Sequence, residues 1–175
     1  MSHNNFTSFP VLTTERLTLR QLSIDDQQSI FALRLDREIN KYLDRQASKT
    51  ISDAIEFINR INDNIAKNNS AYWAITLTNT KTFVGTICLF DFANDKSSCE
   101  IGYELMTDFQ GQGIMKEAAE KVIDYAFQTL QFQKIKAFTH NENKRSTSLL
   151  KKLNFIKSMG TENENPDFSV FVLAH

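Results

Sequence analysis

Apolar residues recur along this chain with two periods, one of two residues and one between three and four, and the segments switch from one to the other. Leu17, Leu19 and Leu22 interleave with Thr18 and Arg20 as a short strand, because side chains on a strand alternate between its faces. Ser23 or Asp25 can then cap a helix whose apolar positions include Ile30, Phe31, Leu33 and Leu35. A second helix begins at Ser52 and Asp53, turns Ile55, Phe57, Ile58, Ile61 and Ile65 inward, and dissolves in the polar run Lys67-Asn68-Asn69-Ser70. Strand patterns at 71–77, 83–91 and 98–105, separated by Asn79 and by Asn94-Asp95-Lys96, read as an antiparallel meander. A glycine loop then opens a helix with Ala119, Val122, Ile123, Ala126, Phe127 and Leu130 on one face, and a core-rich strand at 134–139 completes a β-α-β crossover. Asn143 precedes a helix through Leu149, Leu150 and Leu153, and strands at 155–160 and 168–173, joined by an acidic loop at 162–167, close the chain. The expected fold is mixed α/β (α+β), a mostly antiparallel sheet of six to seven strands with about four helices. Such a sheet opens a cleft where neighbouring strands part, and the glycine loop lies at the carboxyl end of one of them.

That loop, Asp108-Phe109-Gln110-Gly111-Gln112-Gly113-Ile114-Met115, carries the clearest chemistry. Gly111 and Gly113 can take positive φ and let a ligand approach the backbone, while the first amides of the helix present partial positive charge. An anionic ligand follows. A dinucleotide fingerprint would need a third glycine where Lys116 stands, and a P-loop would need Gly-Lys-Ser/Thr where Met115-Lys116-Glu117 stands, so neither fits.

Composition narrows the choice. With 175 residues, 41% of them apolar and 14 of them Phe, the chain is long enough for one domain with a real core, placed at about 14–173. Its 20 basic and 21 acidic side chains leave a formal charge of −1, which argues against nucleic acid or an anionic membrane as partner. Cys88 and Cys99 form neither a disulfide framework nor a metal motif, and His3, His140 and His175 have no ligand spacing, so no metal is expected and a reduced, cytoplasmic setting fits best. No targeting segment or membrane-spanning run is evident in the sequence. Both cysteines fall in strand patterns and read as buried and structural.

The loop resembles the acetyl-CoA loop of the GNAT N-acetyltransferases, Gln/Arg-x-x-Gly-x-Gly/Ala, with Gln110 and Gly113 in register and Met115 as the departure. From Thr14-Glu15-Arg16-Leu17-Thr18-Leu19-Arg20 to near Leu173, the chain is similar to the RimJ/RimL-type branch. Blocks around Asp36-Arg37-Glu38-Ile39, Trp73-Ala74-Ile75, Val84-Gly85-Thr86-Ile87, Glu100-Ile101-Gly102-Tyr103-Glu104-Leu105 and Asn143-Lys144-Arg145-Ser146 match in order. The resemblance implies a GNAT fold in which a β-bulge and splayed strands form the acetyl-CoA cleft. It implies acetyl-CoA as cosubstrate, with its pantetheine arm along Leu105, Met106 and Thr107 and its diphosphate on the amides of Gln110, Gly111, Gln112, Gly113, Ile114 and Met115. Larger residues occur at the Met115 position in this branch, where binding is through the amide.

Acetyl transfer to an amine by direct attack in a ternary complex needs a neutral amine, stabilisation of developing oxygen charge and a donor for the departing thiolate. An α-amine is neutral to about 10% at pH 7 and a lysine amine to only about 0.04%, so an α-amine acceptor asks less of a base. Glu100 resembles a carboxylate used as base in several superfamily members; Glu104, on the same strand face, Glu164 and a water remain alternatives. The tyrosine that usually serves as general acid falls at Leu150, so by the resemblance Ser146 takes that role, and Asn143 positions a cofactor amide or a water. Asn143 and Ser146 equally suit a plain helix cap and first turn. Trp73, Tyr42 and Phe92 read either as acceptor lining or as core. The favoured acceptor is a protein N-terminal α-amine. A small amine such as a polyamine or antibiotic, and a non-catalytic acyl-CoA-binding module, are the rival readings, and monomer and homodimer both stay open.

Overall fold

A computed structural model describes residues 8–43, 45–160 and 165–175. Its elements run β1 (Leu12–Thr13), β2 (Leu17–Gln21), α1 (Gln27–Leu35), α2 (Arg37–Asn40), α3 (Ile51–Ala66), β3 (Ala71–Leu77), β4 (Phe83–Phe90), β5 (Cys99–Leu105), α4 (Ile114–Asp124), β6 (Lys134–His140), α5 (Lys144–Lys152), β7 (Ile156–Lys157) and β8 (Phe168–Ala174). The eight strands among the described residues form one sheet in the order β1-β2-β3-β4-β5-β6-β8-β7. Only β5 and β6 pair in parallel, as the crossover through α4 requires.

Two elements exceed the expected count. β1 has two residues, and α2 has four, held by Asp36 Oδ1 accepting from the Glu38 and Ile39 amides. Neither is long enough for a periodicity to show. The α3 start also differs: Thr50 is the N-cap, closing a capping box with Asp53, and Ser52 lies within the first turn. Ser23 caps as expected, on a short 3-10 turn whose Asp26 carboxylate takes both terminal nitrogens of Arg20. α4 passes at Tyr125 into a π-helical turn, with Leu130 N–H reaching Tyr125 O at 3.0 Å, and Ala126, Phe127 and Leu130 stay in the core.

Six of the seven β3 residues are buried because the sheet is covered on both faces. Leu17, Leu19, Trp73, Ile75, Ile87 and Leu89 pack with α4 and α5 on one side, while Tyr72 and Ala74 pack with α1 and α3 on the other. β5 belongs to both: Cys99, Ile101, Tyr103 and Leu105 face the α4 side, and Glu100, Gly102 and Glu104 the α1–α3 side.

The expected bulge in β5 is absent. Its pairing with β4 runs without interruption from Gly85–Leu105 to Phe90–Glu100, and the register shift among the described residues lies between β3 and β4, where Ile75 pairs with Gly85 and Thr76 with Phe83 and Val84 is the extra residue. Contact is close enough at Gly85 that a Cβ there would stand 2.2 Å from the Glu104 carbonyl oxygen. The splay itself is present. β5 and β6 pair only at Cys99–Ile135 and Glu100–Lys136, then diverge. Because Met106 N–H bonds Val84 O at 2.8 Å, ladder alternation sends the main-chain groups of Tyr103 and Leu105 away from β4, toward the gap.

Candidate active site

At the mouth of that gap, Gly111 and Gly113 both have φ of 76°, the left-handed region that costs a side-chain-bearing residue most. Gly113 is the N-cap of α4 and offers no side-chain acceptor, and the first helical bond is Glu117 N–H to Gly113 O at 3.1 Å. Among the described residues, no side chain caps the amides of Ile114, Met115 and Lys116. A Cβ at Gly111 would meet nothing within 4 Å, and one at Gly113 only the Arg16 guanidinium at 3.5 Å. Met115 does not crowd this space: it is 7% exposed and belongs to the main core.

Glu117, in the first turn, would complement the helix dipole in competition with a bound anion, but Arg16 engages it. Thr14 Oγ1 donates to Glu117 at 2.5 Å, the Arg16 amide at 2.9 Å and Arg16 Nε at 2.7 Å, while Arg16 Nη1 reaches Gln112 O at 3.0 Å. Burial alone would raise the Glu117 carboxyl, but these donors outweigh it and hold it below its ordinary value. The cradle therefore keeps the positive end of its dipole.

Across the gap, Asn143 Oδ1 accepts from Ser146 N–H at 3.1 Å, so Asn143 is an N-cap of α5, and Ser146 stands three residues on. Ser146 Oγ is 2.9 Å from the Tyr103 hydroxyl, a contact between the two walls of the cleft that sequence reasoning missed. Gln110 is a second brace: its Nε2 donates to Leu105 O at 2.9 Å and its Oε1 accepts from Arg145. The Leu105 carbonyl and the Met106 amide are thus already bonded here, and Thr107 Oγ1 turns to Asp36 at 3.3 Å.

On the α1–α3 face, Glu100 is the last β5 residue paired with β6, at the vertex of the splay. Burial, reinforced by the Asp91 charge and a hydrogen bond with it, lifts its carboxyl to about 7 against the pull of Lys136. Glu104 is not equivalent. It forms a partly buried ion pair with Arg45, and burial raises its carboxyl while Arg45 and Arg34 oppose the rise. Glu164 lies outside the described residues. His140, at the end of β6, packs against Tyr42 in a tilted contact and Phe168 edge-on, each with ring centroids 5.3 Å away, and accepts the Glu142 amide on Nδ1. The signal for it was available, namely its place at the carboxyl end of the strand that bounds the cleft.

Other candidates resolve as core. Trp73 is fully buried with Nε1 bonded to Pro10 O at 2.9 Å, Phe92 packs on Phe132, and Leu150 is 1% exposed. Cys88 and Cys99 have thiols pushed up to about 12, chiefly by burial, which makes them poor nucleophiles.

A parallel strand pair that parts after two residue pairs, beside a helix that starts uncapped on two left-handed glycines, is the arrangement that the resemblance to CoA-dependent acyltransferases implies. Residues 16–156 match the family described as acetyltransferase (GNAT) domain, and the chain belongs to it. It is 32% identical over 149 residues to the uncharacterized N-acetyltransferase YoaA of Bacillus subtilis (strain 168), across 85% of this chain and 84% of that one. Identity to the uncharacterized N-acetyltransferase p20 of Bacillus licheniformis is 34% over 147 residues, across 83% and 82%. The spermidine N-acetyltransferase from Vibrio cholerae, solved with CoA and spermine, superposes with a TM-score of 0.79 at 22% identity over 92% of this chain and 96% of that one, a likeness of fold alone. The chain is an N-acetyltransferase with acetyl-CoA as acetyl donor. The open backbone at Gly111 and the uncapped amides of α4 fit the diphosphate of that donor.

Proposed function

We propose that the acceptor is the α-amine of a protein or peptide N-terminus, and that this is a cytoplasmic enzyme of RimJ/RimL type. The carrying observation is Glu100, held near 7 at the vertex of the splay. A base that is about half ionised at neutral pH suits an amine that is already about 10% neutral, and would leave a lysine-like or polyamine nitrogen almost wholly protonated.

In this reading the amides from Gln110 to Met115 hold the diphosphate and the backbone of Leu105, Met106 and Thr107 lines the pantetheine arm. Glu100 takes the proton of the attacking amine, directly or through water. Asn143 fixes the first turn of α5, and the Ser146 hydroxyl donates a hydrogen bond to the sulfur as it leaves. In the net reaction a C–N bond forms, a C–S bond breaks, and the proton lost by nitrogen ends on sulfur.

The test is CoA release with a panel of N-terminal peptides and polyamines, joined to mass spectrometry of the peptides. Acetyl groups on peptide α-amines are expected. Turnover with polyamines alone would move the acceptor to small amines, and acetyl-CoA binding without release for any acceptor would leave a non-catalytic CoA-binding module.

A further inference from the structure

Ser146 can serve a departing thiolate only if its single proton points at sulfur, and a serine hydroxyl rotates freely unless something else claims its lone pairs. Tyr103 does so. It is half-buried on the α4-side face of β5, with its ring against the main core and its hydroxyl 2.9 Å from Ser146 Oγ. The Ser146 main chain is held independently by Asn143 Oδ1, and the following turn by Thr147 Oγ1 donating to Asn143 O at 3.1 Å. A phenol is the more acidic of the two hydroxyls, so in this pair Tyr103 donates and Ser146 accepts. The Ser146 proton is then left to point elsewhere, and accepting a bond makes a hydroxyl a stronger donor.

We propose that Tyr103 is a positioning residue for the sulfur end of the reaction: its hydroxyl donates to Ser146 Oγ and thereby turns the Ser146 proton toward the sulfur of the leaving CoA. The proposal rests on the role of Ser146 given above. During transfer the electron pair of the C–S bond goes to sulfur, the nitrogen proton goes to Glu100 or water, and the Ser146 hydrogen bond stabilises the sulfur charge until solvent protonates it. Burial keeps the Tyr103 phenol protonated, at about 12, despite the opposing effect of its bond to Ser146. Leu150, where a tyrosine acid would stand, is packed in the core and cannot substitute.

The effect is readable without an acceptor, from the ultraviolet absorbance of thiolate in the enzyme–CoA complex titrated with pH, with desulfo-CoA as background. Wild type should ionise bound CoA about one pH unit lower than Tyr103→Phe does, tenfold in thiolate stability. Ser146→Ala should raise it at least as far, and the double variant no further than Ser146→Ala. CoA affinity at pH 6, where the thiol is protonated, should stay within twofold throughout. A Tyr103→Phe complex titrating like wild type while Ser146→Ala is shifted overturns the role of Tyr103 and spares that of Ser146; both unshifted overturns both. Additive shifts in the double variant would mean that Tyr103 acts independently, and weaker binding of CoA and desulfo-CoA alike with an unmoved titration would make the pair a mere staple between β5 and α5. Either result overturns the proposal.

Discussion

Replacing Glu100 with Gln removes the charge and keeps the shape, and the consequence can be worked out from where the carboxyl titrates. At about 7 in the folded chain, it is roughly 10% ionised at pH 6 and roughly 90% at pH 8. If the carboxylate is the base, the ratio of wild-type to Glu100→Gln kcat/KM should rise about tenfold between these pH values and flatten above them. Taking the ratio cancels the acceptor's own titration, since both proteins see the same amine. Stability should move the opposite way. The carboxyl is raised above its ordinary 4.5, so the native state holds its proton where the unfolded chain has released it, and its contribution is greatest below about 4.5 and is lost as pH climbs through about 7. Glu100→Gln should therefore gain melting temperature over wild type at pH 8 and gain none at pH 4.5. Initial rates with one peptide across the pH series, paired with thermal melts in the same buffers, make the measurement. A rate ratio flat from pH 6 to pH 8 would refute Glu100 as base, and a melting difference independent of pH would refute the raised carboxyl itself.

Gly113→Ala forces a left-handed φ on a residue with a Cβ, at about 1–2 kcal/mol, and relief by shifting the loop should weaken acetyl-CoA about tenfold by calorimetry. Met115→Gly should not tighten acetyl-CoA at all, because the side chain is in the core; it should cost about 3 kcal/mol or more in urea unfolding, from a lost buried side chain and a glycine in the first helical turn. Leu150→Tyr should lose about 1–3 kcal/mol by overpacking with no gain in rate, and a faster enzyme would show that the Leu150 side chain reaches the cleft.

What the chain discloses locally could be read from its residues. Left-handed glycines before an apolar-faced helix, the strand patterns at 71–77 and 98–105, and an Asn-x-x-Ser helix start are all contained within a few positions, and each appears where expected. The Thr50–Asp53 capping box was equally local, but Ser52 and Asp53 offered a competing start two to three residues in. The β5 bulge followed from the resemblance and not from any residue, and the uninterrupted β4–β5 ladder replaces it. Long-range partners were out of reach. Arg16 meets Glu117 across 101 positions and Tyr103 meets Ser146 across 43, and no periodicity encodes either. Glu100 and Glu104 share a strand face, and what separates them is Asp91 beside one and Arg45 beside the other, neighbours brought by tertiary packing. That difference is why the proposed mechanism uses Glu100 and not Glu104.

The central claim is that main-chain amides at the start of α4 grip the diphosphate of coenzyme A. Titration calorimetry of the protein with acetyl-CoA tests it most directly. Saturable one-to-one binding, weakened about tenfold or more in Gly113→Ala and unchanged in Met115→Gly, is the predicted result. Heats of dilution alone up to millimolar acetyl-CoA, or full affinity in Gly113→Ala, would contradict it.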